Sequence, residues 1–197
     1  IDALLETASK TFEIEKGVLK NIHLNGKRLI LMTAHRRENF GQPIENICKA
    51  VKSIADRYQS DVDIIYPVHL NPNIQTPVRS LLGETKNIHL TKPLDYHEFV
   101  YLMKQAYLIL TDSGGLQEEA PSLGKPVLVL RETTERPEGV EAGCVEIIGT
   151  DVTHMVEAIS ELLNNKVKYE RMAQAANPYG DGKARQRIVQ HFLKEWK

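Results

Sequence analysis

The sequence predicts an α/β fold, a doubly wound Rossmann-like parallel sheet followed by C-terminal helices. Three observations carry that reading. Short apolar runs rich in Val, Ile and Leu recur along the chain, segments with helical apolar spacing separate several of them, and the most polar loops follow directly on the runs. A continuous apolar run, rather than an alternating one, is what a strand covered on both faces of a parallel sheet requires.

The strand candidates, in order, are 28–33 (RLILMT), 62–68 (VDIIYPV), 87–91 (NIHLT), 107–112 (YLILTD), 126–131 (PVLVLR) and 144–149 (CVEIIG). After the first, residues 43–58 place Ile44, Ile47, Val51, Ile54 and Ala55 on one helical face, and Pro43 suits a first turn. Asn71 and Pro72 offer a cap for a helix after the second strand. Residues 95–106 repeat the helical spacing, with Asp95 as N-cap. Beyond the sixth strand, 151–165 and 167–176 read as two helices, 177–182 (NPYGDG) as a turn-rich break and 183–196 as a closing helix. No internal repeat, low-complexity tract or flexible linker interrupts this order.

At 197 residues and 42% hydrophobic content the chain can bury a full core. A formal net charge of -1 gives no global field for nucleic acid or an anionic membrane, so any phosphate recognition is local. Cys48 and Cys144 lie far apart without metal-ligand spacing and read as free thiols of a reducing compartment. The seven histidines form no ligand cluster, and neither a metal nor a cofactor is expected. No stretch reaches the roughly 18 apolar residues of a membrane span, and the start (IDALLETASK) has no signal-peptide pattern, so a cytoplasmic location is expected. That start lacks Met and opens within an amphipathic pattern, which suggests a piece of a longer chain.

Ligands of doubly wound sheets bind outside the carboxyl ends of the strands, so the loops there are the candidate sites. Loop 34–43 (AHRRENFGQP) supplies His35, Arg36 and Arg37; the alternative is an exposed loop whose charges pair with one another. His69 follows the second strand and is either a ligand-side group or a structural hydrogen-bonder. After the fourth strand, Ser113, Gly114 and Gly115 lead into a helix, and residues lacking Cβ let backbone N–H groups approach an anion. The motif has neither the Lys-Ser/Thr of a P-loop nor the three-glycine dinucleotide spacing, which argues against nucleotide hydrolysis and hydride transfer. Glu119, four residues after Gly115, falls one turn deeper on the same side, where a carboxylate can accept from both hydroxyls of a ribose. Glu118, rotated by about 100° on a 3.6-residue helix, reads as a solvated or partner-facing charge. In loop 131–143, Arg131, Thr133, Thr134 and Arg136 offer donors to phosphate or sugar oxygens, or form a surface salt-bridge loop.

Taken together, TAHRRENFGQP, YPVHLNP, KPLDYHEFVYLM, TDSGGLQEEAPSLGKPVLVLRETTERPEG and NPYGDGKA, in this order, resemble the C-terminal half of the non-hydrolysing UDP-N-acetylglucosamine 2-epimerases. The resemblance spans almost the whole chain. It implies one half of a glycosyltransferase-B-type two-domain fold, with residues 1–26 crossing between domains, 27–177 forming the UDP-binding domain and 178–197 a terminal helix packing back on an N-terminal domain. It also implies interconversion of UDP-N-acetylglucosamine and UDP-N-acetylmannosamine, by elimination of UDP and its re-addition with inversion at C2. On that basis Ser113, Gly114, Gly115 and Arg136 hold the diphosphate side of UDP, Glu119 the ribose, and the backbone at Leu94, with Phe99, the uracil. His35 is the catalytic residue of this half, and Arg37 and His69 match positions attributed to an allosteric second substrate molecule. The implied partners are a UDP-sugar, the N-terminal domain and, at full length, a second copy of the chain. The family's carboxylates for the C2 proton lie in the other half, so this chain alone is expected to bind UDP weakly and not to epimerise. The alternatives are a glycosyltransferase donor domain, which would not need the His35 loop, a non-catalytic nucleotide-sugar sensor, and a hydrolysing epimerase.

Overall fold

The computed structural model describes residues 1–12, 18–22 and 26–196. Parts of the expected crossing segment 1–26, namely 13–17 and 23–25, lie outside the described residues, as does Lys197. Among the described residues, β1 (Arg28–Thr33), β2 (Val62–Pro67), β3 (Ile88–Thr91), β4 (Ala106–Thr111), β5 (Val127–Val129) and β6 (Val145–Ile147) form one parallel sheet in the order β3-β2-β1-β4-β5-β6. This is the doubly wound order expected from the alternation of strand and helix.

The side chains of β1 show why the strands are apolar throughout. Ile30 and Met32 point to one face, where α2 (Gln42–Arg57), α3 (Pro72–Leu82) and α7 (Val152–Asn164) bring Ile47, Val51, Val78 and Ile159 against them. Leu29 and Leu31 point to the other, which α1 (Asp2–Ser9) and α4 (Tyr96–Gln105) cover with Leu4, Val100 and Met103. The inner strands β1, β2, β4 and β5 contribute apolar side chains to both layers, whereas the edge strands β3 and β6 each contribute to one.

The helix starts follow their local chemistry. The Asp95 side chain accepts from the Glu98 N–H at 2.8 Å while the Glu98 carboxylate takes the Asp95 N–H, a reciprocal capping box that opens α4. Asn71 accepts from the Asn73 N–H at 2.9 Å and opens α3, which continues through Pro77. Asp151 and Asn165 cap α7 and α8 (Lys166–Ala173) in the same way.

Several strand ends differ from expectation. Asp112 lies just past β4 rather than within the strand, because its backbone turns there towards Ser113. Residues 126–131 and 144–149 shorten to three-residue strands, since β5 and β6 leave the sheet for loops that fold back over its carboxyl edge. The terminal α9 (Ala184–Glu195) buries none of its residues and exposes Ile188, Val189, Phe192 and Leu193. Its N-terminus is tied to α1, for the Asp2 carboxylate accepts the N–H groups of Ala184 at 3.2 Å and Arg185 at 2.9 Å. Among the described residues, no helix is long and apolar enough to cross a membrane.

Candidate functional site

The strand order reverses between β1 and β4, so the chain after β1 runs to one side and the chain after β4 to the other. The crevice left at their carboxyl ends is where this architecture accommodates a ligand. Asp112 organises it. Its side chain is fully buried, and Oδ2 accepts the backbone N–H groups of His35 and Arg36, each at 2.7 Å, and the Asn39 amide at 3.0 Å. Asn39 also donates to the Leu130 carbonyl at 3.3 Å, which joins the loops after β1, β4 and β5. His35 Nδ1 stands 3.5 Å from Asp112 Oδ1, and the ring stacks on His69 with centroids 5.6 Å apart. The two histidines therefore meet, although they follow different strands. The His69 Nδ1 accepts the Asn71 N–H at 3.1 Å.

Ser113 enters α5 (Gly114–Glu119) with its N–H bonded to the Thr111 hydroxyl at 2.9 Å. The first N–H groups of such a turn have no acceptor within it. A Cβ built on Gly114 would stand 2.9 Å from Glu135 Oε1 and 3.5 Å from Arg36 Nη2, whereas one on Gly115 would meet only Ser113 Oγ, at 3.9 Å. The Glu135 carboxylate thus lies over Gly114, paired with Arg36 at 2.9 Å and with Arg131, which also holds Glu38. The carboxyl of Glu135 is held below the usual range first by its own backbone N–H and then by Arg131 and Arg36. The cationic groups beside the glycines are already arranged around one anion.

Deeper on α5, Glu119 accepts the Tyr96 hydroxyl at 3.0 Å. Burial withholds water from the Glu119 carboxyl and raises it, with the Tyr96 hydrogen bond opposing. Burial, then Glu119, pushes the Tyr96 phenol up to about 12. Tyr96 thereby links Glu119 to the start of α4, where Leu94 and Phe99 are half-buried and pack on the core.

Glu118, expected as a solvated or partner-facing charge, is part-exposed and has an ion-pair partner within the chain. It pairs with Arg136, so the donor expected to face phosphate is held by a carboxylate of α5 because the loop after β5 folds over that helix. The Arg136 carbonyl accepts the Tyr179 hydroxyl at 3.0 Å, and the same hydroxyl takes the Gly139 N–H at 2.8 Å. Asn177 donates to the Glu118 carbonyl at 2.9 Å. The turn-rich break before α9 thus braces the loop and the short α6 (Pro137–Glu141) within it. Arg37 is exposed; its carbonyl accepts the Phe40 N–H at 3.1 Å, and its side chain makes no hydrogen bond or ion pair among the described residues. Asp112, Glu135 and Tyr179 do not stand out in the sequence as site residues; an acid directly after an apolar run is the visible signal for Asp112, but its partner His35 lies in the loop after β1, 77 positions away.

The family model described as UDP-N-acetylglucosamine 2-epimerase matches residues 1–193. The chain belongs to the UDP-N-acetylglucosamine 2-epimerase family. It is 52% identical over 188 residues to the UDP-N-acetylglucosamine 2-epimerase of Campylobacter jejuni, covering 94% of this chain and 49% of that protein. Among solved structures it resembles the S. aureus MnaA–UDP co-structure, with a TM-score of 0.87, 47% identity, and coverage of 98% of this chain and 51% of that one. The UDP-GlcNAc 2-epimerase from Neisseria meningitidis bound to UDP-GlcNAc gives a TM-score of 0.87 at 44% identity, with 98% and 53% covered. The chain spans about half the length of the curated relatives it matches.

Proposed function

We propose that this chain is the UDP-binding half of an enzyme that interconverts UDP-N-acetylglucosamine and UDP-N-acetylmannosamine. The observation that carries the proposal is the meeting, at the β1/β4 reversal, of His35, the exposed Gly115 next to a Gly114 bordered by the Arg36–Glu135 pair, and Glu119 one turn deeper. Relatives solved with UDP and with UDP-GlcNAc support it.

In this reading the diphosphate takes the place over Gly114 and Gly115 that the Glu135 carboxylate borders, and Arg36 and Arg131 exchange one anion for another. Arg136 joins them by leaving Glu118. Glu119 accepts from the ribose hydroxyls, and Leu94 and Phe99 flank the uracil. UDP is a leaving group that must return to the same sugar, so it has to stay bound between elimination and re-addition; a site built for the nucleotide rather than for the sugar does this. His35 serves the departing group or a proton moving beside it, while Arg37 and His69 are offered as contacts to a second substrate molecule. The carboxylates that take and return the C2 proton belong to the other half of the enzyme, and the apolar face of α9 is offered to that half. A second copy of the full-length chain is the proposed oligomeric partner.

Incubating the chain with UDP-N-acetylglucosamine in deuterated water tests both parts. UDP binding without deuterium at C2 is expected. Deuterium incorporated by this chain alone would contradict the division of labour, and no detectable UDP binding would contradict the nucleotide role.

A further inference from the structure

Asp112 holds a second feature besides its support of the loop. Oδ2 is saturated by three donors, but Oδ1 is buried and has no hydrogen-bond partner among the described residues. A buried carboxylate oxygen left without a donor forfeits the hydration it had in water and gains nothing in return. The ring beside it is that of His35, whose Nδ1 stands 3.5 Å away, close enough that a small adjustment would bring it into hydrogen-bond geometry.

A neutral imidazole carries its proton on one nitrogen only. With the proton on Nδ1, the ring supplies the donor that Oδ1 lacks. With the proton on Nε2, a nitrogen lone pair of the part-exposed ring faces a lone pair of the buried carboxylate, and the oxygen stays unsatisfied. The ring is also limited in how it can turn, because one face stacks on His69 at an interplanar angle of 17° and the backbone N–H of His35 is itself bound to Asp112.

We propose that Asp112 is a positioning residue that fixes His35 as its Nδ1–H tautomer and so leaves Nε2 as the nitrogen offered to the reaction. This deepens the role of His35 under the proposed function and rests on that reading for its catalytic meaning. The tautomer itself does not depend on it. With the proton fixed on Nδ1, proton exchange with a bound ligand is confined to Nε2, on the opposite edge of the ring, and an imidazolium formed there is stabilised by the carboxylate behind it.

Two-bond proton–nitrogen spectra of the 15N-histidine-labelled chain at about pH 8.5, well above the ordinary imidazole value of about 6.5, read the tautomer directly. His35 is expected with a protonated Nδ1 and a pyridine-like Nε2. His69, whose Nδ1 is an acceptor, should show the opposite pattern in the same spectrum. In Asp112→Asn the amide oxygen can keep the His35 and Arg36 N–H bonds while its NH2 group faces Nδ1, so the His35 pattern is expected to invert. A protonated Nε2 on His35 in the unaltered chain would overturn the proposal, whether or not the variant folds. So would an unchanged His35 pattern in a variant whose amide spectrum shows a native fold. Failure of the chain to bind UDP would defeat the functional reading while leaving the tautomer where it is.

Discussion

The Glu135 carboxylate lies directly over Gly114: a Cβ there would come within 2.9 Å of Glu135 Oε1. Gly114→Ala therefore needs only the end of a flexible side chain to move, and the exposed Arg36 pair it disturbs is worth about 0–1 kcal/mol. Alanine returns about 0.5–1 kcal/mol of helix preference. Stability is expected to change by less than about 1 kcal/mol on urea denaturation, while UDP affinity falls about tenfold or more. Gly115→Ala meets no such neighbour and should lower UDP affinity with stability unchanged.

Glu119 sets stability against binding. Its folded-state value is raised by burial above the ordinary 4.5, so the folded chain holds the proton more tightly than the unfolded one. Stability then falls as pH rises from 4.5 through the folded value, and the cost is fully present above it. Glu119→Gln removes that cost and can still accept the Tyr96 hydroxyl. A higher melting temperature at pH 7 is expected, together with UDP binding weakened about tenfold by the loss of a charged acceptor. A lower melting temperature would contradict the burial argument. In Tyr96→Phe the carboxyl should rise further, so UDP binding should weaken at a higher pH as the solution is acidified.

Asp112→Ala strands the N–H groups of His35 and Arg36 and the Asn39 amide. Unsatisfied buried groups cost about 1–3 kcal/mol each, so a loss of at least about 3 kcal/mol is expected from urea denaturation. Asp112→Asn, which keeps an acceptor, should lose much less.

Tyr179→Phe removes the acceptor of the Gly139 N–H and the donor to the Arg136 carbonyl. A loss of about 1–2 kcal/mol is expected, with weaker UDP binding as the loop carrying Arg136 loosens. Gly139→Ala should be worse for the fold, since its Cβ would stand 2.8 Å from Val145 Cγ2 and 3.0 Å from the Tyr179 hydroxyl.

The sheet was legible because its inner strands are buried on two faces and carry continuous apolar runs, as in Ile30 to Met32. The start of α4 was legible because Asp95 and Glu98 cap each other within four residues. The length of α3 was not, since Pro72 and Pro77 break the usual helical pattern and its apolar positions reduce to Ile74, Val78 and Leu82. The glycines and Glu119 stand out as a local spacing. Asp112 and the Glu118–Arg136 pair do not, because their partners depend on which strands lie side by side and on where the loop after β5 folds. Local chemistry could be read along the chain, but contacts made across the sheet's edge could not.

The central claim is that UDP sits on the turn between β4 and α5. Titrating UDP into the 15N-labelled chain while following amide signals tests it most directly. The expected result is weak, saturable binding, with the largest shifts at Ser113, Gly114, Gly115 and Glu119 and around Leu94 and Phe99. Saturable shifts confined to other parts of the chain, or none at any concentration of UDP, would contradict it.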